Sequence, residues 1–323
     1  MAKRMFVGID LGGTNLRAAV VDSDARIVAQ ARAETRAQEG PDAVLKRLAS
    51  VAREAVRAAG LELRDIAACG VGSPGPLDAS TGVVLYTANM PGWANVPVAK
   101  WMTEELGVTT FLENDANSAG WGEFWRGAGR GSSEMAIYTL GTGVGGCVIV
   151  GGRLHRGRDQ MAGHVGHTIL FPDGRPCGCG ARGCLEQYCS ATAVARAARE
   201  ATQRGEETGL SHLAPEQITA RAVYEAAKAG SAFCKRLLAE TGRLLGIGIT
   251  TLVNVLDPQV VVIYGGMVAA GDMILEPCRK AVRELALRPA SERVRIVPAE
   301  LGEDAGVLGA AGLAWRRLEG EKA

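Results

Sequence analysis

A glycine-rich segment in the middle of the chain carries three cysteines and a histidine at close spacing. The cysteines are Cys177, Cys179 and Cys184, and His167 lies ten residues before the first of them. Three thiolates and one imidazole suit a tetrahedral zinc ion, and the intervening glycines let the chain turn tightly enough for these side chains to converge. Because such a set leaves no open coordination position, the spacing predicts a structural zinc site.

Two other segments place glycines directly after a short apolar run, at residues 5–15 and 135–146. A second apolar run follows each turn, so both predict a strand, a glycine turn and an antiparallel strand. The second turn matches the dinucleotide pattern G-x-G-x-x-G, but a strand follows it where that pattern requires a helix, and we reject the match. No P-loop sequence is present.

Successive N–H groups in a glycine turn can bind an anion, although each turn taken alone is also typical of a plain hairpin. Asp10, at the end of the first strand, could hold a magnesium ion directly or through water. Two such hairpins, one in each half of the chain, suggest a duplicated architecture that holds a phosphate chain between the halves.

Two polar side chains, Asn114 and Asp115, follow a predicted strand at residues 109–112. Ligands of open α/β sheets bind beyond the carboxyl ends of the strands, which favours a functional role for both. We expect a helix from Ser118 to Arg126 behind them. In that case Asp115 or Asn117 would cap the helix, which is the commoner explanation for an isolated N-D-A-N sequence.

Strands alternate with helices along the remaining chain, which indicates an α/β protein whose 323 residues suffice for two domains. A buried strand at 259–264 runs into Gly265 and Gly266, which leave room for a flat ring or form an ordinary strand-to-helix turn. A terminal helix at 305–317 could pack back onto the first domain. The net charge of +1 gives no reason to expect nucleic acid or an anionic membrane as a partner.

We expect a cytoplasmic protein, because the start of the chain does not read as a secretory signal and no apolar run could span a bilayer. The other five cysteines are scattered, so a disulfide framework is not expected.

Taken together, the motifs resemble the ROK family of sugar kinases (repressors, open reading frames, kinases), over nearly the whole chain. The pieces are D-L-G-G-T-N at 10–15, P-G-P-L-D at 74–78, N-M-P-G-W at 89–93, E-N-D-A-N at 113–117, L-G-T-G-V-G-G at 140–146, G-H at 166–167, C-G-C-G-A-R-G-C-L-E at 177–186 and Y-G-G-M-V at 264–268.

The resemblance implies an α/β, actin-like, hexokinase-type ATPase fold with a cleft between two α/β domains. The N-terminal domain would span 1–116, completed by the C-terminal helix at about 305–323, and the C-terminal domain with the zinc motif would span 117–304. It also implies that ATP, with Mg²⁺, phosphorylates the 6-hydroxyl of glucose or a related hexose, with Asp115 as the general base. Relatives commonly dimerise, so a homodimer is expected.

The resemblance also assigns ligand contacts residue by residue. The implied sugar contacts are Gly75, Asn89, Asn114, Asp115, His164 and Glu186. The implied phosphate and adenosine contacts are Asp10, Gly12, Gly13, Thr14, Asn15, Gly141, Thr142, Gly143, Gly265 and Gly266. The implied zinc ligands are His167, Cys177, Cys179 and Cys184.

One position departs from the family pattern and leaves the substrate open. Many members have glutamate before V/I-G-H, whereas this chain has His164, which can donate as well as accept a hydrogen bond. Bacterial N-acetylmannosamine kinases look similar here, so the C2 substituent is either a hydroxyl or an acetamido group. The segments N-M-P-G-W and C-L-E-Q-Y favour glucose. Alternatively, His164 orients the zinc site from a second shell.

Two other functional classes remain as alternatives. A sugar-responsive repressor of this family would carry an added N-terminal helix-turn-helix domain, for which the first phosphate strand, beginning at Met5, leaves no room. A sugar-binding scaffold without catalysis would not need Asp115, Asp10 and both glycine turns. The phosphate donor, ATP or polyphosphate, is not determined by the sequence.

Overall fold

The computed structural model describes residues 3–87 and 90–320, which fall into two compact units. The first unit comprises the described residues of 1–131, 153–162 and 300–323, and the second comprises 132–152 and 163–299. Among these residues, no helix has both the length and the apolar content needed to cross a membrane.

The first unit is built on a five-stranded sheet with the order β3-β2-β1-β4-β8. Its strands are β1 (Met5–Leu11), β2 (Asn15–Asp22), β3 (Ile27–Glu34), β4 (Ile66–Ser73) and β8 (Thr110–Asn114). Strands β1 and β2 confirm the predicted hairpin around the first glycine turn, and β3 pairs antiparallel with β2. A small antiparallel sheet, which the turn residues there did not predict, consists of β5 (Leu77–Asp78), β6 (Val83–Tyr86) and β7 (Ala94–Val96).

Helices of the first unit follow the expected apolar periodicity. They are α1 (Pro41–Ala58), α2 (Val98–Leu106), α3 (Asp115–Arg126) and α10 (Asp304–Leu318). Helix α1 starts with proline at its first turn and packs its buried stripe, including Val44 and Leu48, against β2 and β3.

Helix α10 packs on β1, β4 and α3 at very short range. A Cβ atom at Gly8 or Gly70 would overlap a carbonyl oxygen of this helix, so only glycine permits the approach. Because α3 packs on α10, the first unit extends to Gly131, beyond the predicted boundary at residue 116.

Four strands of the second unit lie in the order β10-β9-β12-β13. They are β9 (Met135–Leu140), β10 (Val144–Val150), β12 (Val260–Tyr264) and β13 (Arg295–Pro298); the short β11 (Arg153–Leu154) falls within the first unit's residues. The helices of this unit are α4 (Glu186–Cys189), α5 (Ala191–Gln203), α6 (Ala220–Lys228), α7 (Ala232–Leu256), α8 (Asp272–Leu285) and α9 (Ala290–Arg293).

The two units share one strand topology. In the first, β1 pairs with β2 antiparallel and with β4 parallel, and β4 pairs with β8 parallel. In the second, β9 pairs with β10 antiparallel and with β12 parallel, and β12 pairs with β13 parallel. The prediction of a duplicated strand–glycine turn–strand element is therefore confirmed.

Candidate active site

The four predicted zinc ligands converge in the second unit. The ligand atoms of His167, Cys177, Cys179 and Cys184 all lie within 4.8 Å of one another. Cys179 Sγ and Cys184 Sγ are 3.7 Å apart, as are Cys177 Sγ and His167 Nδ1. Ligands at about 2.3 Å from a tetrahedral ion would be separated by roughly 3.8 Å, so the side chains fit zinc.

Tight backbone turns bring these ligands together. The Cys177 N–H donates to Ala181 O (2.8 Å), and the Gly180 N–H donates to Cys177 O (3.0 Å). Gly183 has a φ of +72°, and a Cβ atom there would overlap Phe171 O. Burial raises the pKa of the Cys184 thiol to about 12. A bound cation would reverse this effect, because metal-coordinated thiols are deprotonated.

Glu186 lies between the cysteine cluster and the second glycine turn. Its Oε2 accepts the Val144 N–H (2.9 Å), while its Oε1 lies 3.9 Å from Cys177 Sγ. A Cβ atom at Gly143 would overlap the Glu186 carboxylate, so glycine is required there for this contact. One carboxylate therefore connects the turn to the cluster.

His164 immediately precedes the short 3₁₀ turn Val165–His167, and its ring centroid is 6.3 Å from that of His167. Partial burial and the neighbouring His167 lower the pKa of His164, which favours the neutral imidazole. Neutral imidazole both donates and accepts hydrogen bonds. The same turn packs on β10, because Gly166 lies against Val144 O.

In the first unit, β8 ends at Asn114 and α3 begins at Asp115. The prediction that the helix starts at Ser118, with Asp115 or Asn117 as its cap, is wrong. Asn114 is the N-cap, and its Oδ1 accepts the N–H groups of Ala116 (3.0 Å) and Asn117 (3.2 Å). An asparagine at the N-cap satisfies two donors of the first turn, so the helix can begin three residues earlier.

The Asp115 carboxylate is partly buried, and its Oδ1 accepts the Ala116 N–H (2.8 Å). Burial raises the pKa of Asp115 to about 6, and the negative charge of Asp10 adds to this shift. Burial also raises the pKa of Asp10, against the opposing effect of Arg17. A carboxylate with a pKa near neutrality is suited to accept a proton at physiological pH.

Both glycine turns are closed by backbone hydrogen bonds. Gly12 N–H donates to Asn15 O (3.0 Å), and Gly141 N–H donates to Gly143 O (3.0 Å). Within the described structure nothing lies within 4 Å of a Cβ position at Gly13 or Gly141. Ligand atoms can therefore approach both backbones closely. Thr14 and Asn15 are exposed beside Gly13.

A cavity of about 600 Å³ opens beside the second turn. Gly141, Thr142 and Gly266 line one part of it, and α6 lines another. Gly265 has a φ of +103°, and a Cβ atom there would overlap Leu140 O, so glycine lets the chain turn tightly after β12. Three of the predicted phosphate and adenosine positions of this unit, Gly141, Thr142 and Gly266, thus line one cavity.

Two further residues, Gly75 and Asn89, are predicted to contact the sugar. Gly75 lies in the turn before β5 with a φ of +88°, and a Cβ atom there would overlap Tyr86 O. Asn89 lies outside the described residues. Sequence reasoning does not single out Glu113 and Arg156, which form an ion pair beside the start of α3 (Oε2 to Nε, 2.9 Å). A charged residue inside E-N-D-A-N is an available signal for Glu113, whereas the sequence offers none for Arg156.

The ROK family model matches residues 6–317. The chain belongs to the ROK family. It is 35% identical to the glucokinase of Thermotoga maritima, over 99% of this chain and all of that one. It is 34% identical to the N-acetylmannosamine kinase of Citrobacter koseri, over 95% of this chain and 98% of that one.

Solved structures agree with this membership. A ROK hexokinase from Thermus thermophilus is 36% identical, with a TM-score of 0.82 over 98% of this chain and 99% of that one. A ROK glucokinase from Streptomyces griseus, in complex with glucose and AMPPNP, is 33% identical, with a TM-score of 0.81 over 97% and 99%. The fold is therefore the α/β, actin-like, hexokinase-type ATPase fold.

Proposed function

We propose that this chain transfers the γ-phosphate of ATP to the 6-hydroxyl of glucose, with Asp115 as the general base. The chain is an ATP-dependent sugar kinase, because it belongs to the ROK family and is similar to kinases along nearly its full length. Glucose as the substrate is supported by the glucokinases among these relatives. The observation that carries the role of Asp115 is its pKa of about 6 at the start of α3.

The base has a defined task. A sugar hydroxyl is a weak nucleophile, so a carboxylate must accept its proton as the oxygen attacks the γ-phosphorus. The pKa of about 6 leaves Asp115 mostly ionised at pH 7 and still basic enough to accept that proton. Asn114 caps α3 through its carbonyl oxygen, and its side chain also hydrogen-bonds Asp115. Its amide N–H groups are proposed as sugar donors.

Phosphate binding is assigned to the glycine turns. Gly12, Gly13, Thr14 and Asn15 would donate to phosphate oxygens from the first turn, and Gly141, Thr142 and Gly143 from the second. Mg²⁺ would supply neutralisation of the charge that develops on the transferred phosphoryl group. Asp10 would hold it, directly or through water. The adenosine would occupy the cavity beside Gly265 and Gly266.

Further sugar contacts are proposed for residues of the second unit. Glu186 would accept hydrogen bonds from sugar hydroxyls, and neutral His164 would contact the C1–C2 side of the ring. Gly75 and Asn89 are proposed as further contacts. Zinc held by the three cysteines and His167 would keep Glu186 in place, which accounts for a carboxylate so close to the cluster.

An N-acetylmannosamine kinase is the second candidate. Two observations favour it: His164 stands where many family members carry glutamate, and a kinase of that class is 34% identical to this chain. An imidazole can donate to an acetamido oxygen, which an ionised carboxylate cannot do.

A substrate panel tests the proposal. Purified protein with Mg²⁺ is given ATP or polyphosphate and, separately, glucose, mannose, N-acetylglucosamine, N-acetylmannosamine or no sugar, and the phosphorylated sugar is measured. We expect the highest kcat/KM with glucose and ATP. A higher kcat/KM with N-acetylmannosamine would replace glucose by the amino sugar, and no phosphorylation of any sugar would reject the kinase.

A further inference from the structure

A charged side chain is buried directly behind the proposed base. Glu113, the penultimate residue of β8, is only 5% exposed. A buried carboxylate is costly unless its oxygens are fully hydrogen-bonded. Its position two residues before Asp115, with no role in the chemistry proposed above, calls for a physical explanation.

Both oxygens of Glu113 are satisfied by groups that surround the start of α3. Its Oε1 accepts the backbone N–H of Asn114 (3.0 Å) and the side-chain amide of Asn117 (2.8 Å). Its Oε2 accepts two N–H groups of Arg156, with Nε at 2.9 Å. The carboxylate thereby holds Asn114 from its backbone side, while Asn114 caps the helix with its side chain.

Arg156 comes from a segment that buries little else. Of residues 155–159, Arg156 alone is not exposed, and its side chain is 11% exposed. Gln160 attaches the same segment by donating to Asp78 Oδ1 (2.7 Å) and accepting the Ala79 N–H (2.7 Å). Buried ion pairs contribute little net stability compared with apolar packing, so an ordering role explains this arrangement better than a stabilising one.

We propose that Glu113 and Arg156 are positioning residues whose ion pair fixes the Asn114–Asp115 turn and thereby aims the Asp115 carboxylate. This inference rests on the proposed role of Asp115 as the base. Each bond restrains one side of the turn: Arg156 orients Glu113, and Glu113 orients Asn114 and Asn117. Removing Arg156 would leave a buried charge unpaired, and the turn would rearrange to hydrate it. A displacement of about 1 Å at a reacting group can cost roughly 100-fold in rate.

Arg156→Met, Arg156→Lys and the control Arg158→Met test the proposal. Arg158 lies two residues away in the same segment, is exposed, and pairs only loosely with the adjacent Asp159 (3.7 Å). We expect Arg156→Met to lower kcat per folded molecule about 10- to 100-fold, with the KM for ATP within about twofold of the parent. Arg156→Lys should recover part of the loss, and Arg158→Met should leave kcat unchanged.

The same substitution in an Asp115→Asn background separates positioning from general destabilisation. If Arg156 acts through Asp115, Arg156→Met should lower the residual kcat of Asp115→Asn by less than about twofold. An equal loss in both backgrounds, or no loss in the parent, would overturn the positioning role. Near-normal activity of Asp115→Asn alone would instead reject Asp115 as the base. If Arg156→Met does not fold, the kcat of Arg156→Lys is measured in the parent and in the Asp115→Asn background instead. The same outcomes then support or overturn the positioning role.

Discussion

The two glycine turns occupy equivalent positions in the two units, yet different chemistry supports them. The first, at residues 12–15, is held by one threonine: Thr35 N–H donates to Thr14 O (2.8 Å), and Thr35 Oγ1 donates to Gly12 O (2.5 Å). The second, at residues 141–143, accepts the Ala191 N–H at Gly141 O (2.8 Å). It is also held by a carboxylate, because Glu186 accepts the N–H of Val144.

The carboxylates near the two turns also lie in different surroundings. Beside the first turn, Asp10 and Asp115 are both pushed towards protonation by burial. Beside the second, Glu186 lies against a cluster of potential metal ligands. One strand topology thus carries a turn held by Thr35 and a turn that Glu186 connects to the Cys₃His cluster. If zinc binds this cluster as proposed, the first turn should tolerate loss of the metal, and the second should not.

The largest effect is expected from Cys184→Ser, which removes one ligand of the cluster. Zinc content measured by atomic spectroscopy should fall from about one per chain to nearly none, and kinase activity should fall by on the order of 100-fold or more. Cys234→Ala, which removes a buried cysteine of the same unit outside the cluster, should keep both.

All five tryptophans lie in the first unit, so their fluorescence reports on the unfolding of that unit. The Cys184→Ser variant can therefore show whether the first unit depends on the cluster. We expect the thermal midpoint from tryptophan fluorescence to change less in Cys184→Ser than the midpoint from far-ultraviolet circular dichroism. Equal shifts in the two midpoints would contradict separate support of the two turns.

A smaller effect is expected from alanine at the turns themselves. Gly143→Ala places a Cβ atom against the Glu186 carboxylate, which would move and lose its hydrogen bond to the Val144 N–H. It should therefore lower kcat by about tenfold and cost about 0.5–1.5 kcal/mol of stability. Gly13→Ala meets no protein atom within 4 Å, so its melting temperature should stay unchanged while the added methyl raises the KM for ATP. Steady-state kinetics and melting curves of the pair check this, and a destabilised Gly13→Ala would show that the first turn is also supported by packing at its tip.

The smallest effect concerns the stability of the first unit. Burial raises the pKa of Asp115 from its ordinary 3.8 to about 6, so the ionised carboxylate destabilises the folded state at higher pH. Its contribution is most favourable below pH 3.8 and is lost as the pH rises through about 6. The free energy of unfolding of Asp115→Asn should therefore exceed that of the parent by about 1–2 kcal/mol at pH 8. This difference should vanish near pH 4. Denaturant titrations of both proteins at pH 8 and pH 4 measure this. The same difference between variant and parent at both pH values would contradict the prediction.

Much of this architecture could be predicted from sequence because it depends on local patterns. The strands β1, β2 and β3, the hairpin at β9 and β10, and the helix α10 follow apolar periodicity and turn residues. The Cys₃His cluster was found because its ligands are close in sequence and of rare type. The family followed from the order of these motifs.

Other features depend on contacts that sequence spacing does not reveal. The sequence does not locate the start of α3, because Asn114, Asp115 and Asn117 could each cap the helix. Only the hydrogen bonds of the structure identify Asn114 as the cap. Arg156 was not found because it lies 43 residues beyond its partner Glu113. The small β5–β7 sheet is not predicted because its strands are short and lie among turns rich in proline and glycine.

The dependence of kcat on pH, in the parent and in Asp115→Asn, tests the role of Asp115 most directly. Since only the ionised base accepts the sugar proton, the parent kcat should fall about tenfold per pH unit below about pH 6. Asp115→Asn should bind ATP, lose a factor of roughly 10² to 10⁴ in kcat at pH 8, and show no such acid limb. An Asp115→Asn variant with near-parental kcat, or with the same fall below pH 6, would contradict Asp115 as the base.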